Sequence, residues 1–178
     1  MIDYRSPMQS ILQTVVNIRY AELAEYVFSE TLGVVQSGPF RGMKIPREVS
    51  WGQGDVIPKL LGLGTYEQEL IPAIYKAIRR KPAVVYNVGC AEGYYAVGLA
   101  RALPEATVAA FDTGVISVCL KAQAMNDVGR RFSTGGEFKS SRINEWNVTP
   151  YRSLVVMDVE GAEISLIGGE EDSEADYR

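Results

Sequence analysis

Three short apolar runs, each stopping at a turn or an acid, limit what this chain can fold into more than any other feature. Ala83-Val84-Val85-Tyr86-Asn87-Val88 runs into a glycine turn, Thr107 to Phe111 stops at Asp112, and Leu154-Val155-Val156-Met157 stops at Asp158. The runs are too short for helices, and they lack the alternation of a sheet wetted on one face. They read as strands buried on both sides. Between them, 94–103 carries Val97, Leu99 and Ala100 before Pro104, and 115–126 follows Asp112; both read as helices. Residues 129–146 read as a weak further strand and a short helix. Strand alternating with helix predicts an α/β fold with a mostly parallel sheet and right-handed crossovers.

In such sheets ligands sit outside the carboxyl ends of the strands, where Asn87, Asp112 and Asp158 fall. The first turn is Gly89-Cys90-Ala91-Glu92-Gly93. Gly89 permits a sharp turn, Gly93 lets the next helix pack close, and Cys90 and Ala91 keep the turn small. The dinucleotide fingerprint is absent, and Glu92 at a helix start would repel a pyrophosphate while suiting a cationic ligand. A plain strand-to-helix connection is the competing reading of the turn. Asp112 can accept both hydroxyls of a ribose, or cap the turn Asp112-Thr113-Gly114. In Asp158-Val159-Glu160-Gly161-Ala162-Glu163 the carboxylates can orient a substrate, act as general base, or bind a divalent cation. The competing reading has Asp158 capping the next helix, with Glu160 and Glu163 in its first turn. Cys90 is either a low-pKa thiol at a helix start or a small residue in a tight turn. Of Tyr94 and Tyr95, neighbours on a helix that point different ways, one is expected to flank the site.

Upstream, 10–32 reads as a helix with an apolar stripe of Ile11, Leu12, Val15, Ile18, Leu23, Val27 and Phe28, suited to packing or dimerisation. Gly/Pro-punctuated 37–46 reads as turns with short extended pieces, 51–55 as a loop, and 58–63 as a helical turn. Thr65-Tyr66-Glu67-Gln68 has the form of a capping box. The helix after it runs to about Arg80, with Leu70, Ile71, Ile74 and Ile78 inward and a solvated basic end. The division expected is 1–64 as N-terminal helix and cap region, 65–169 as the ligand-binding domain, and 170–178 as an acidic tail.

Composition narrows the chemistry. The 178 residues include no histidine and two cysteines, and the net charge is -4. Histidine-based triads and His- or Cys-ligated zinc are excluded within one chain. Nothing suggests general affinity for nucleic acid or a membrane, no apolar run has bilayer length, and a reducing cytoplasm is expected.

Val84-Val85-Tyr86-Asn87-Val88-Gly89-Cys90-Ala91-Glu92-Gly93-Tyr94-Tyr95 resembles the first motif of FkbM-type class I methyltransferases. Asp158-Val159-Glu160-Gly161-Ala162-Glu163 is similar to that family's second signature, and 61–67 to the segment before its sheet. The resemblance covers most of the chain from about Ser37. It implies a three-layer Rossmann-like sheet that binds S-adenosylmethionine and methylates an oxygen of a small molecule or sugar. Gly89, Cys90, Ala91 and Gly93 would wrap the methionine part, Asn87 and Glu92 would also bind the cofactor, Asp112 would hold the ribose, and Tyr66 and Glu67 would border the cofactor. Asp158 and Glu160 would serve catalysis, and Asn126 lies in a segment similar in the family. Two departures stand out. Asn87 replaces an acid, and the chain stops soon after the strand that ends at Asp158, without the family's last strands. A truncated, non-catalytic relative and an NAD-type oxidoreductase are the alternatives. The apolar N-terminal helix and an open sheet edge favour a homodimer.

Overall fold

The structure is a computed structural model that describes residues 7–47, 63–114, 116–139 and 152–168. The loop expected over 51–55, most of the helical turn over 58–63, the short helix before 146 and the tail over 170–178 lie outside the described residues.

Four strands form one sheet: β1 (Val84–Val88), β2 (Thr107–Phe111), β3 (Phe132–Gly135) and β4 (Ser153–Met157). Their order is β3-β2-β1-β4, and every pairing is parallel. The helices are α1 (Pro7–Thr31), α2 (Ile71–Arg79), α3 (Tyr94–Ala102), α4 (Ile116–Met125) and α5 (Glu163–Gly168). The chain is therefore an α/β protein, as the buried runs imply. Val88 pairs with both Phe111 and Met157, so Gly89, Asp112 and Asp158 emerge side by side at one end of the sheet.

One face of the sheet carries Val85, Val108, Ala110 and Phe132. These pack against Val97 and Ala100 of α3 and Cys119 and Ala122 of α4 in a single core. Among the described residues no comparable helix layer covers the other face, so the three-layer arrangement is not visible in them. β4 is the outer strand there, and Val155 is 46% exposed.

The segment 33–46 joins the same core through Val35, Phe40, Met43 and Ile45. It folds back on itself by one antiparallel bridge, Val34 with Lys44. Two contacts fasten it. The Phe40 ring lies on Gly98 in α3, where a Cβ would come within 2.5–2.7 Å of ring carbons. Asn126, after α4, clamps the Lys44 peptide: its Oδ1 accepts from the Lys44 N–H at 2.9 Å, and its Nδ2 donates to the Lys44 carbonyl at 2.7 Å. A third fastening holds α3. The Arg131 guanidinium donates to the carbonyls of Ala100, Leu103 and Ala106, satisfying acceptors at the end of the helix.

Two expectations fail near α2. The capping box does not form, because Glu67 sits in the left-handed region (φ 45°, ψ 51°) and no side chain caps the 3₁₀ turn Gln68–Leu70 that follows. Thr65 and Gln68 then lack the N-cap and N3 relationship the motif requires. Leu70, expected inward, is exposed because it belongs to that turn, and Ile74 is the buried residue of α2. No helix among the described residues is long and apolar enough to cross a membrane.

Candidate functional site

A cavity of about 630 Å³ opens at the carboxyl end of the sheet, between the ends of β1, β2 and β4 and the segment after β3. That volume falls within the range of small-molecule sites. The cavity exists because three strands stop in register and their following turns diverge.

The turn after β1 is fixed by backbone hydrogen bonds. Gly89 N–H and Cys90 N–H both donate to the Phe111 carbonyl at 2.9 Å, and Gly93 N–H donates to the Cys90 carbonyl at 2.7 Å. Ala91 N–H donates to Asp112 Oδ2 at 2.8 Å. Ala91 has a left-handed φ of 43°, a strained value for a residue with a Cβ. Gly89, at φ 75°, is required by more than the turn. A Cβ there would stand 2.8 Å from the carbonyl carbon of Asp158 and closer still to its oxygen. The two strand ends are drawn together by Asp158 N–H donating to the Val88 carbonyl at 2.9 Å.

Asp112 is a brace as well as a wall. Besides Ala91, it accepts from Gly114 N–H through Oδ1 at 2.7 Å. A carboxylate offers about four acceptor sites, so it can brace the turn and still accept from a ligand.

After β4, Glu160 (φ 54°) and Gly161 (φ 100°) make a tight turn closed by Ala162 N–H donating to the Val159 carbonyl at 3.2 Å. Two positive φ values in succession are the type I′ pattern. Asp158 does not cap α5, and Glu160 precedes the helix. Glu163 reaches back instead, accepting from Val159 N–H at 3.1 Å. That bond holds the Glu163 carboxyl below its ordinary pKa.

Of the residues singled out in the sequence, Gly89, Ala91, Asp112, Asp158 and Glu160 line this cavity, and the others do not. Cys90 is buried, and its thiol is pushed to a higher pKa, first by its hydrogen bond to Cys119 and then by burial. Of its two readings, the buried position fits the small residue in a tight turn. Gly93 packs against the Cys119 sulfur, where a Cβ would be 2.8 Å away. Asn87 is 1% exposed, and its Nδ2 donates to the Val156 carbonyl at 3.3 Å. Its Oδ1 is buried without a partner among the described residues.

Tyr66 and Glu67 join a separate aromatic cluster at the start of α3. Tyr66 and Tyr94 meet edge-to-face at 5.4 Å, as do Phe40 and Tyr94 at 5.1 Å. Tyr94 and Tyr95 both take part, rather than one alone, because their own rings also meet edge-to-face at 5.3 Å. Tyr95 donates its hydroxyl to Glu67. Burial, then the charges of Glu67, Asp158 and Glu92, push the Tyr66 phenol up to about 12.

Glu137 and Phe138 complete the cavity wall, and sequence reasoning missed them. Phe138 meets Phe111 edge-to-face at 5.6 Å. The signal was present as an acid two residues after β3, but the weak β character of Ser133-Thr134-Gly135 left the end of the expected strand unplaced. Among the described residues no three His, Cys, Asp or Glu side chains come together as metal ligands. No known protein-family pattern matches the chain, and no curated protein is significantly similar to it.

Proposed function

We propose that this cavity binds S-adenosylmethionine and that the chain transfers its methyl group to an oxygen of a small molecule or sugar. The composition of the cavity wall carries the proposal. Among the described residues, the polar side chains lining it are Asp112, Thr113, Glu137, Asp158 and Glu160, with no lysine or arginine. Such a wall attracts a ligand with positive charge and disfavours a pyrophosphate. The turn adds support: the N–H groups of Gly89, Cys90, Ala91 and Gly93 are already used internally. A dinucleotide held at this turn would need such donors free.

The residues fit the cofactor's chemistry. Asp112 has acceptor sites for ribose hydroxyls, Phe111 and Phe138 offer ring surface for a flat base, and the carboxylates suit the ammonium and sulfonium. When bound, the cofactor supplies an electrophilic methyl group. With that methyl group presented to an acceptor hydroxyl, Asp158 or Glu160 would take the hydroxyl proton. The protein's remaining task is to align the two reactants.

A second reading, ligand binding without transfer, is favoured by Asn87. A neutral amide spans from β1 to the Val156 carbonyl where the resembled family has an acid, so no charge reaches the ligand from that position.

Calorimetric titration with S-adenosylhomocysteine, with NAD as control, tests the proposal. Micromolar binding of the first alone is expected. Binding of NAD alone, or of neither, refutes it, and binding without turnover across hydroxylated acceptors selects the second reading.

A further inference from the structure

Residues 11–23 of α1 are exposed to water, and they include several large apolar side chains. Its C-terminal half rests on the core: Ala24 is buried, and Val27 and Phe28 pack against the core residues. At 3.6 residues per turn, the same side of the helix continues back through Tyr20, Asn17 and Gln13, which are themselves exposed. Gln13 and Asn17 are hydrogen-bonded to each other at 3.0 Å. The opposite face, directed away from the domain, carries Ile11, Val15, Ile18 and Tyr26, flanked by Leu12 and Leu23. These six are 47–62% exposed. A surface helix ordinarily buries its apolar stripe and shows water its polar one.

We infer that this face is an interface between two copies of the chain, packed as an antiparallel helix pair about a two-fold axis level with Tyr20 and Ala21. The charges within the stripe argue for a second copy in this register. Arg19 and Glu22 lie on the outward face, paired with each other at 2.7 Å and largely exposed. An antiparallel partner centred between Tyr20 and Ala21 sets Arg19 of each copy level with Glu22 of the other. The same register sets Val15 level with Tyr26 of the other copy, while Ile18 and Leu23 close the two sides. The stripe is thus complementary to itself, as a two-fold interface must be. Covering it on both copies removes on the order of 1,000 Å² of apolar surface, near the lower end for specific interfaces.

The test uses the full chain in sedimentation equilibrium. The wild type is expected at twice the 19.6 kDa chain mass. Arg19→Glu and Glu22→Arg each set like charges against one another across the axis. Each alone is expected to weaken the dimer about ten-fold or more, with circular dichroism unchanged because both sites are exposed. Mixing the two variants restores opposite charges at both contacts and is expected to recover the dimer as a heterodimer, which pairing within one helix cannot produce. Val15→Glu is expected to be monomeric and not rescued by mixing. A monomeric wild type at ~100 µM, single variants that stay dimeric, or a mixture that fails to reassociate each overturns the inference.

Discussion

Replacing Gly89 by alanine separates the conformational demand of the first turn from the contact that joins two strand ends. The backbone demand is a φ of 75°, which costs a residue with a Cβ roughly 1–2 kcal/mol. The contact demand is additional. The new Cβ would press on the Asp158 carbonyl, and a backbone group cannot rotate aside as a flexible side chain can. β1 and β4 must part at their ends, which endangers the Asp158 N–H to Val88 carbonyl bond, worth about 1 kcal/mol. With residual strain, a loss of roughly 3–4 kcal/mol is expected from a total of ~5–15. Two other glycines calibrate the effect. Gly161 has φ 100° and open space within 4 Å of where a methyl group would stand, so Gly161→Ala should show only the ~1–2 kcal/mol conformational cost. Gly136 has open space and no positive φ, so its alanine variant should lie within about 0.5 kcal/mol of the wild type. Urea unfolding followed by circular dichroism gives all three. If Gly89→Ala loses no more than Gly161→Ala, the strand ends do not meet as described.

Arg131→Ala should cost about 2–3 kcal/mol in the same assay, because three carbonyls around the end of α3 lose a charged donor. Arg131→Lys should recover less than half of that, since one ammonium cannot reproduce the fork. Asn126→Asp should cost about 2 kcal/mol and expose 33–46 to protease, because the carboxylate cannot donate to the Lys44 and Ala122 carbonyls. Tyr66 and Tyr94 have folded-state pKa values raised from 10.0 to about 12, chiefly by burial. Their contribution to stability is therefore complete below pH 10 and is lost as pH rises from 10 toward 12. Phenolate absorbance should show these tyrosines ionising late and together with unfolding; ionisation of all ten tyrosines near pH 10 would refute the burial.

The sheet was legible because β1, β2 and β4 are apolar apart from Asn87 and the leading Thr107 and Ser153, a pattern that admits few structures besides a parallel strand under helices. Strand β3 was only dimly legible, since Ser133 and Thr134 are exposed and Gly135 has no side chain to pack. Glu137 and Phe138 were lost with it. Local motifs fared worse where distant contacts set the backbone. Thr65 and Gln68 carry the letters of a capping box, but Glu67 adopts a left-handed conformation and accepts from Tyr95, 28 residues away. Asn126, Arg131 and the Gly98 seat for Phe40 were illegible for the same reason. Their partners are carbonyls, a peptide and a ring brought near only by the finished fold.

Asp112 shows how far a structural role and the proposed binding role overlap at one residue. It lines the cavity, so its loss removes an acceptor for ligand. It also accepts from Ala91 N–H, so its loss releases the turn from its strained left-handed residue. A ligand entering the intact cavity meets a turn already ordered by four internal hydrogen bonds, and little further ordering opposes binding. In Asp112→Ala that ordering must be supplied at binding, so weakened affinity alone cannot identify a direct contact. Adding Ala91→Gly relieves the strain without restoring the acceptor. If the double variant regains stability but not affinity, the carboxylate itself touches the ligand; if both return together, Asp112 acts only by holding the turn.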